Sequence, residues 1–281
     1  MLFSPLTIRG RVIRNRILST GHDTTLPTDG TVNEALIAYH RARAKGGVGL
    51  IVTQVAGVHE TARYTSHLLM ATDDACIPGF RSLAEAVHAE GAVIVSQLFH
   101  PGREIMESAD GLLAVAYAPS VVPNERFHVM PRELDDAMIT EIVAGYAASA
   151  ARLAAAGFDG VEYVASHGYL PAQFLNPRVN LRSDAWGQDR TKFLRDCLQA
   201  MRDAVPDNFI IGMRISADER DEAGLQPDEV TASCLALEPL VDYLSVTFGT
   251  SATLGGAVHI APPMAFAAGY LAQAAGQIKS A

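Results

Sequence analysis

The sequence GVEYVASHGYL, residues 160–170, joins an apolar run to a histidine and a tyrosine two residues apart. The run Gly160–Tyr163 is typical of a strand buried on both faces, as the strands of a parallel sheet are. His167 and Tyr169 follow just after the point where this strand would end. The stretch therefore predicts an α/β fold in which polar side chains lie at the carboxyl end of a buried strand.

A helix precedes this strand, because apolar residues recur at helical spacing from Asp136 to Ala156. Asp136 is placed to cap the helix, and Gly157 is placed to end it. The same alternation of apolar run and helical segment recurs along the chain. The apolar runs are Ile17–Leu18, Val48–Val52, Ala92–Val95, Gly160–Tyr163, Ile210–Met213 and Val241–Val246.

Repeated units of one strand and one helix predict right-handed crossovers and a parallel sheet. Such a sheet is either an open, doubly wound sheet or a (β/α)8 barrel. The pattern G-x-G-x-x-G follows none of the runs, which weakens the dinucleotide-binding form of the open sheet. We therefore expect a TIM (β/α)8-type barrel, here incomplete, with about six βα units.

Both ends of the chain bear on this expectation. The last helix-like stretch, Ala261–Ser280, reaches the final residues, so residues 1–281 are expected to form one barrel domain that lacks the last two βα units. Near the other end, Leu6–Ile8 and Val12–Ile13 flank the tight-turn sequence Arg9-Gly10-Arg11. These pieces predict a β-hairpin that closes the bottom of the barrel.

Composition excludes several classes of protein. Hydrophobic residues make up 49% of the 281 and charged residues 19%, which suits one large buried core. The net charge of -9, with no basic block, argues against nucleic acid as a partner. Cys76, Cys197 and Cys234 are far apart, which argues against disulfides and a metal site. Charge appears too early for a signal peptide, and no apolar run would span a membrane, so we expect a soluble, cytoplasmic protein.

Two polar residues interrupt apolar strands. Arg214, in GMRIS, would point at an anion or at hydrogen-bond acceptors, since an unpaired buried arginine is costly. Its partner is either a ligand or a carboxylate such as Glu162 inside the barrel, and both interpretations stay open. Gln97, in VSQLF, suits the edge of a pyrimidine-like ring, although bonding to the backbone is the commoner role of such an amide.

Several motifs occur in a fixed order along nearly the whole chain. They are NRIL at 15–18, RARAKGGVGLI at 41–51, QLFHPGR at 97–103, HGYL at 167–170, QFLNP at 173–177 and NLRSD at 180–184. In this order they resemble the Old Yellow Enzyme family of flavin-dependent NADH oxidoreductases. The resemblance is closest to the branch of dienoyl-CoA reductases and trimethylamine or histamine dehydrogenases.

The resemblance implies an activity and two catalytic residues. Members of the family bind FMN and pass hydride from NAD(P)H to an activated alkene or a related small-molecule substrate. The residue matching Tyr169 protonates the substrate carbon, a role for which a phenol with a pKa of about 10 is suited. The residue matching His167 donates a hydrogen bond to the substrate carbonyl and stabilises the developing negative charge.

The resemblance also implies how FMN is held. Gln97 matches the glutamine that contacts the pyrimidine edge of the flavin. Arg214 matches the arginine near flavin N1 and O2, where a cation stabilises the reduced ring. Thr20 and Gly21 match backbone positions that lie against the isoalloxazine.

The chain departs from the family pattern in three ways. Val164 occupies the first place of a His or Asn pair spaced by three residues, so His167 alone remains of the pair. No cysteine lies near a predicted strand end, so FMN is expected to be non-covalent. The third departure is at the end of the sequence. The family's phosphate site lies on the seventh and eighth strands, which this sequence is expected to lack. Members of this branch also continue into an iron–sulfur motif and a second nucleotide-binding domain. We therefore expect weak FMN binding, with a homo-oligomer or further C-terminal domains as partners.

Two other functions compete with the flavin oxidoreductase. One is a non-catalytic remnant of a barrel, which binds FMN weakly or not at all. The other is a lyase or aldolase without flavin. The sequence disfavours the last, because Lys45, Lys192 and Lys279 lie in predicted helices rather than at strand ends, where a Schiff base would form.

Overall fold

A computed structural model describes residues 1–106 and 115–281. In these residues the strands are β1 Leu6–Ile8, β2 Arg11–Ile13, β3 Leu18–Ser19, β4 Leu50–Gly57, β5 Leu69–Met70, β6 Val93–Phe99, β7 Tyr117–Ala118, β8 Arg132–Glu133, β9 Gly160–Ala165, β10 Ile210–Ser216 and β11 Tyr243–Thr247. The α-helices are α1 Glu34–Lys45, α2 Ile77–His88, α3 Asp136–Ala155, α4 Leu170–Leu175, α5 Ala185–Gln188, α6 Lys192–Ala204, α7 Pro227–Leu237, α8 Leu254–Ala257 and α9 Ala272–Ser280.

The main sheet is parallel, and its strands are neighbours in the order in which they occur in the chain. The order is β3-β4-β6-β9-β10-β11, and the short strand β5 also pairs with β4. A doubly wound sheet reverses its strand order at a switch point, whereas a barrel does not. The sheet is therefore the first six strands of a TIM-type barrel, each followed by helix, as the sequence predicted.

The two faces of the sheet pack against different partners. Residues such as Val161, Tyr163 and Ile211 belong to the large core between the sheet and its helices. Alternate residues point to the other, concave face, where Leu50, Val52 and Val95 form a second cluster with the N-terminal residues. Because side chains alternate along each strand, Gln97, Glu162 and Arg214 share this inner face.

The predicted hairpin is confirmed. β1 and β2 pair antiparallel with Leu6 opposite Ile13. Arg9 and Gly10 both have positive φ, at 48° and 77°, as a two-residue turn with this twist requires. Leu6, Ile8 and Ile13 pack against the starts of β4 and β6. The hairpin thus covers the amino-terminal end of the inner face.

Three details of the sequence prediction were wrong. Asp135, not Asp136, caps α3, with its side chain accepting from the Met138 amide. The stretch 261–271 is not helical, and α9 begins only at Ala272. The strands extend beyond the apolar runs, since the run Ala92–Val95 becomes a strand, β6, that continues to Phe99. The apolar runs end before the strands do, because polar residues on the inner face interrupt the apolar pattern. In the described ranges, no helix is long and apolar enough to cross a membrane.

Candidate active site

A chain of hydrogen bonds across the inner face joins the strands β6, β9 and β11, with β10 lying between the last two. Gln97 on β6 donates from Nε2 to Oε1 of Glu162 on β9, at 2.8 Å. Tyr243 on β11 donates its hydroxyl to Oε2 of the same carboxylate, at 2.9 Å. Glu162 is fully buried, and burial raises its pKa, while the nearby Arg214 charge opposes the rise. By accepting this hydrogen bond, Glu162 fixes the orientation of the Gln97 side-chain amide.

Arg214 lies between these strands on β10. Its Nη1 donates to Ser245 Oγ at 3.1 Å, and its side chain is half-buried. Within residues 1–106 and 115–281, no carboxylate forms an ion pair with it. The Glu162 carboxylate is close enough to interact electrostatically but bonds to Gln97 and Tyr243 instead. The guanidinium thus keeps donors free for an acceptor on the inner face.

Thr20 and Gly21 follow β3, at the carboxyl end of the first barrel strand. A β-carbon on Gly21 would lie 2.5 Å from the side-chain carbonyl carbon of Gln97. The backbone therefore approaches Gln97 as closely as glycine alone permits. Thr20 is exposed, and its carbonyl bonds to the ring Nδ1 of His22 at 3.1 Å. Gly21 thus lies directly against another predicted site residue, Gln97.

His167 follows β9 in a left-handed conformation, with φ at 62°. Its amide donates to Ser216 Oγ at 3.0 Å, and its carbonyl accepts from the Ser251 amide at 2.8 Å. Burial lowers the pKa of His167 to about 3; Arg214 adds to this effect, and the backbone of Gly249 opposes it. The ring is therefore neutral at physiological pH. Its Nδ1 is buried and has no hydrogen-bond partner in the described residues.

Tyr169 lies beside His167, with ring centroids 6.0 Å apart and nearly perpendicular planes. Its ring packs edge-to-face against Phe99 at 4.6 Å and against Tyr64 at 6.3 Å. Burial raises its pKa above the usual range of a phenol, and the charges of Glu104 and Asp23 raise it further. Tyr169 therefore stays protonated at any physiological pH.

Some residues of this site were not predicted from the sequence. The sequence predicted Glu162 only as a possible counter-ion of Arg214 and gave no role to Tyr243. A signal for both exists, since a carboxylate in GVEYVA and a phenol in VDYLSV stand at inner-face positions of buried strands. Asp23 accepts from the Tyr64 hydroxyl at 3.2 Å near the carboxyl end of the sheet. No periodicity identifies Asp23, because it lies in a loop.

These residues fit the ring end of a flavin. Gln97 and Arg214 offer hydrogen-bond donors on the same inner face of the sheet, and the ring carbonyls and N1 of a flavin are acceptors. The Gln97 side chain packs directly against Gly21, a contact that any larger residue at position 21 would prevent. The buried, unpartnered Nδ1 of His167 and the hydroxyl of Tyr169 belong to the turn beyond the carboxyl end of β9. The inner face thus presents polar side chains that fit a flavin ring, and two further hydrogen-bonding side chains lie just beyond the end of β9.

A family model and several known proteins match most of this chain. The model of the NADH:flavin oxidoreductase / NADH oxidase family matches residues 1–261. A metal reductase of Desulforamulus reducens is 39% identical over 277 residues, which are 97% of this chain and 41% of that protein. An NADH oxidase of Thermoanaerobacter brockii is 40% identical over 229 residues, or 79% of this chain and 35% of that protein.

Among solved structures, a 2-naphthoyl-CoA reductase in complex with 2-naphthoyl-CoA superimposes with a TM-score of 0.83 at 28% identity. That superposition covers 90% of this chain and 41% of the other. The chain spans about two fifths of the length of the first curated relatives it matches, at 41% and 35%. Since the family model matches residues 1–261 of 281, this chain belongs to the NADH:flavin oxidoreductase / NADH oxidase family.

Proposed function

We propose that this protein is an FMN-dependent oxidoreductase that uses NAD(P)H to reduce an activated alkene or a related small molecule. One observation carries the proposal: His167 and Tyr169 stand side by side, with ring centroids 6.0 Å apart, past the end of a strand whose inner face is lined by Gln97, Glu162 and Arg214. The solved relative in complex with 2-naphthoyl-CoA is a reductase of a conjugated thioester, which supports this substrate class.

Four residues are assigned to holding the flavin ring. We assign Gln97 to the pyrimidine edge, oriented by its bond to Glu162. Arg214 is assigned to the N1 and O2 side, where its positive charge stabilises negative charge on the ring. Thr20 and Gly21 supply backbone against which the ring lies. When bound, FMN supplies hydride transfer.

Two residues are assigned to the substrate. Tyr169 holds a proton at its hydroxyl and gives it to the substrate carbon next to the activating group, as a general acid. His167 is assigned to the substrate carbonyl oxygen through Nδ1, in the tautomer that carries its proton there. A hydrogen bond to that oxygen stabilises the enolate-like charge that develops as the carbon accepts hydride. The apolar rings of Phe99 and Tyr64 exclude water from this side of Tyr169.

The test separates the two half-reactions. Protein with excess FMN is reduced anaerobically by NADH or NADPH, and then reoxidised by a cyclic enone while flavin absorbance is followed. Tyr169→Phe is expected to keep the reduction rate and to slow reoxidation by about 10²–10⁴-fold, the usual contribution of a general acid. Tyr146→Phe is the matched control, because Tyr146 is buried on the helix side of the sheet, in the large core.

The alternatives are distinguished by the same experiment. A non-catalytic barrel remnant would give two negative results. It would stay colourless after FMN is added and the excess is removed by gel filtration, and it would show no flavin reduction with FMN in excess. Equal reoxidation rates in Tyr169→Phe and Tyr146→Phe would contradict the assignment of Tyr169.

We also propose a reducing, cytoplasmic location, based on Cys76, Cys197 and Cys234 being free thiols.

A further inference from the structure

Two buried carboxylates lie behind the turn that carries His167 and Tyr169. The turn follows β9, whose neighbours in the sheet are β6 and β10. Glu104 lies in the loop after β6 and Glu219 in the loop after β10, so they reach the turn from either side. Their exposed fractions are 1% and 3%. Neither residue belongs to the machinery assigned above.

Glu104 is connected to His167 through one hydroxyl group. Ser251 Oγ lies 3.1 Å from Glu104 Oε2 and 2.9 Å from the His167 carbonyl oxygen. A serine hydroxyl carries one proton and both neighbours are acceptors when Glu104 is ionised. Both contacts are full hydrogen bonds only if Glu104 carries a proton and donates it to Ser251. Oε2 still accepts from Asn124 Nδ2 at 2.9 Å in that state.

Glu219 has an oxygen without a partner. Its Oε2 accepts from the Leu225 amide at 2.8 Å, but its buried Oε1 has no hydrogen-bond partner in the described residues. This Oε1 lies 3.8 Å from where a β-carbon on Gly168 would stand. An ionised carboxylate with one oxygen unpaired in a buried position is costly. The buried position therefore favours the protonated, neutral form of Glu219 as well.

The charge available nearby balances only one of the two acids. Arg103 is the cation that acts on both, and its Nε lies 3.4 Å from Glu104 Oε1. Its Nη1 is engaged with the carbonyls of Val122 and Pro123. Asp221 adds negative charge near Glu219. Two like charges close together in a buried site do not both ionise at neutral pH.

Burial raises the pKa of both carboxyl groups to about 7, against the opposing charge of Arg103. In Glu104 the bonds from Ser251 and Asn124 also oppose the rise, and in Glu219 the bond from the Leu225 amide does so. The charge of Glu104 also raises the pKa of Glu219. Ionisation of Glu104 therefore disfavours ionisation of Glu219, so that the two groups lose their protons one after the other as the pH rises.

We propose that Glu104 and Glu219 form a buried acid pair that keeps one proton at neutral pH, and that protonated Glu104 positions the His167–Tyr169 turn through Ser251. Loss of the proton from Glu104 removes one of the two hydrogen bonds of the Ser251 hydroxyl, so that the His167 carbonyl keeps only the Ser251 amide as a donor. Glu104 is a positioning residue here, since it acts on His167 through Ser251. Its influence on catalysis rests on the proposed function, but the presence of the proton does not.

Infrared spectroscopy of the protein without added flavin tests the proton directly. At neutral pH we expect the carbonyl stretch of a protonated carboxylic acid, which fades as the pH is raised to mildly alkaline values. Glu104→Gln and Glu219→Gln are each expected to change or remove this band. Glu141→Gln is the control, because the Glu141 side chain is 67% exposed. Absence of the band in the wild-type protein at neutral pH would overturn the proposal, whatever the flavin experiments give.

The positioning role has its own test. In the FMN-loaded protein, the reoxidation rate is expected to fall as the pH rises through neutrality, and this pH limb is expected to disappear in Glu104→Gln. Ser251→Ala should lower the rate at all pH values and also flatten the limb, because the link to His167 is lost. A limb that is unchanged in both variants would contradict the positioning role, while the infrared band would still establish the acid pair.

Discussion

Gln97 and Glu162 are joined by a 2.8 Å hydrogen bond across the inner face of β6 and β9. The carboxylate also accepts from Tyr243, so it organises two donors from strands on either side of it. Without this carboxylate, the Gln97 amide and the Tyr243 hydroxyl would each lose a hydrogen-bond acceptor in a buried position, which is costly. The orientation of the Gln97 side-chain amide therefore depends on Glu162.

Glu162→Leu is expected to destabilise the protein by about 2–4 kcal/mol, because Gln97 and Tyr243 lose a buried partner. Glu162→Gln keeps an acceptor for Gln97 and should cost less than about 1 kcal/mol. Urea unfolding followed by circular dichroism measures both. If the two variants unfold at the same urea concentration, the hydrogen bonds of Glu162 contribute nothing to the fold.

Gly21→Ala is expected to displace the Gln97 side chain, since the new methyl group would lie 2.5 Å from it. The predicted consequence is weaker FMN binding, by about tenfold or more, which corresponds to about 1.4 kcal/mol. Flavin fluorescence titration measures the change. Gly276→Ala is the control, because a β-carbon on Gly276 in α9 meets no atom within 4 Å. Equal FMN affinity in the two variants would show that the ring does not lie near Gly21.

Asp159→Ala is expected to loosen the hairpin from the sheet. Asp159 is 3% exposed and forms an ion pair with Arg11 of the hairpin at 2.9 Å. It also accepts from the Ile94 amide and from His88 at 2.9 and 2.7 Å. We expect a loss of roughly 2–4 kcal/mol in the free energy of unfolding, since the buried Ile94 amide loses its acceptor and Arg11 and His88 lose their bonds to a buried carboxylate.

The control for Asp159→Ala is Asp74→Ala, which removes an ion pair with Arg152 whose aspartate side chain is 80% exposed. Exposed pairs of this kind contribute less than about 1 kcal/mol. Thermal and urea unfolding of both variants provide the comparison. A smaller loss for Asp159→Ala than for Asp74→Ala would show that the hairpin is not held by Asp159.

His167 is expected to remain neutral until the pH falls to about 3, the value to which burial lowers its pKa. The unfolded chain binds this proton nearer pH 6.5, so the stability contributed by neutral His167 is present above about 6.5 and is lost as the pH falls toward 3. NMR of the histidine ring protons measures the titration, and His167→Asn identifies the signal. A signal that titrates near neutrality would show that the ring is solvated.

The sequence by itself determined the arrangement of the strands. Short apolar runs alternate with helical segments, and the turn sequence at Arg9 and Gly10 specifies the hairpin. These signals are local, since burial, side-chain periodicity and turn geometry act over a few residues. They also placed Gln97, Arg214, His167 and Tyr169 at or near the carboxyl ends of buried strands, because each interrupts or follows an apolar run.

Only the tertiary structure decided which of these groups act on one another. Gln97 meets Glu162 across 65 residues of sequence, and Ser251 meets Glu104 across 147. Such contacts depend on strand register and loop path, which no local pattern encodes. The same holds for charge state: burial keeps His167 neutral and raises the pKa of Glu104, and burial is a property of the folded chain.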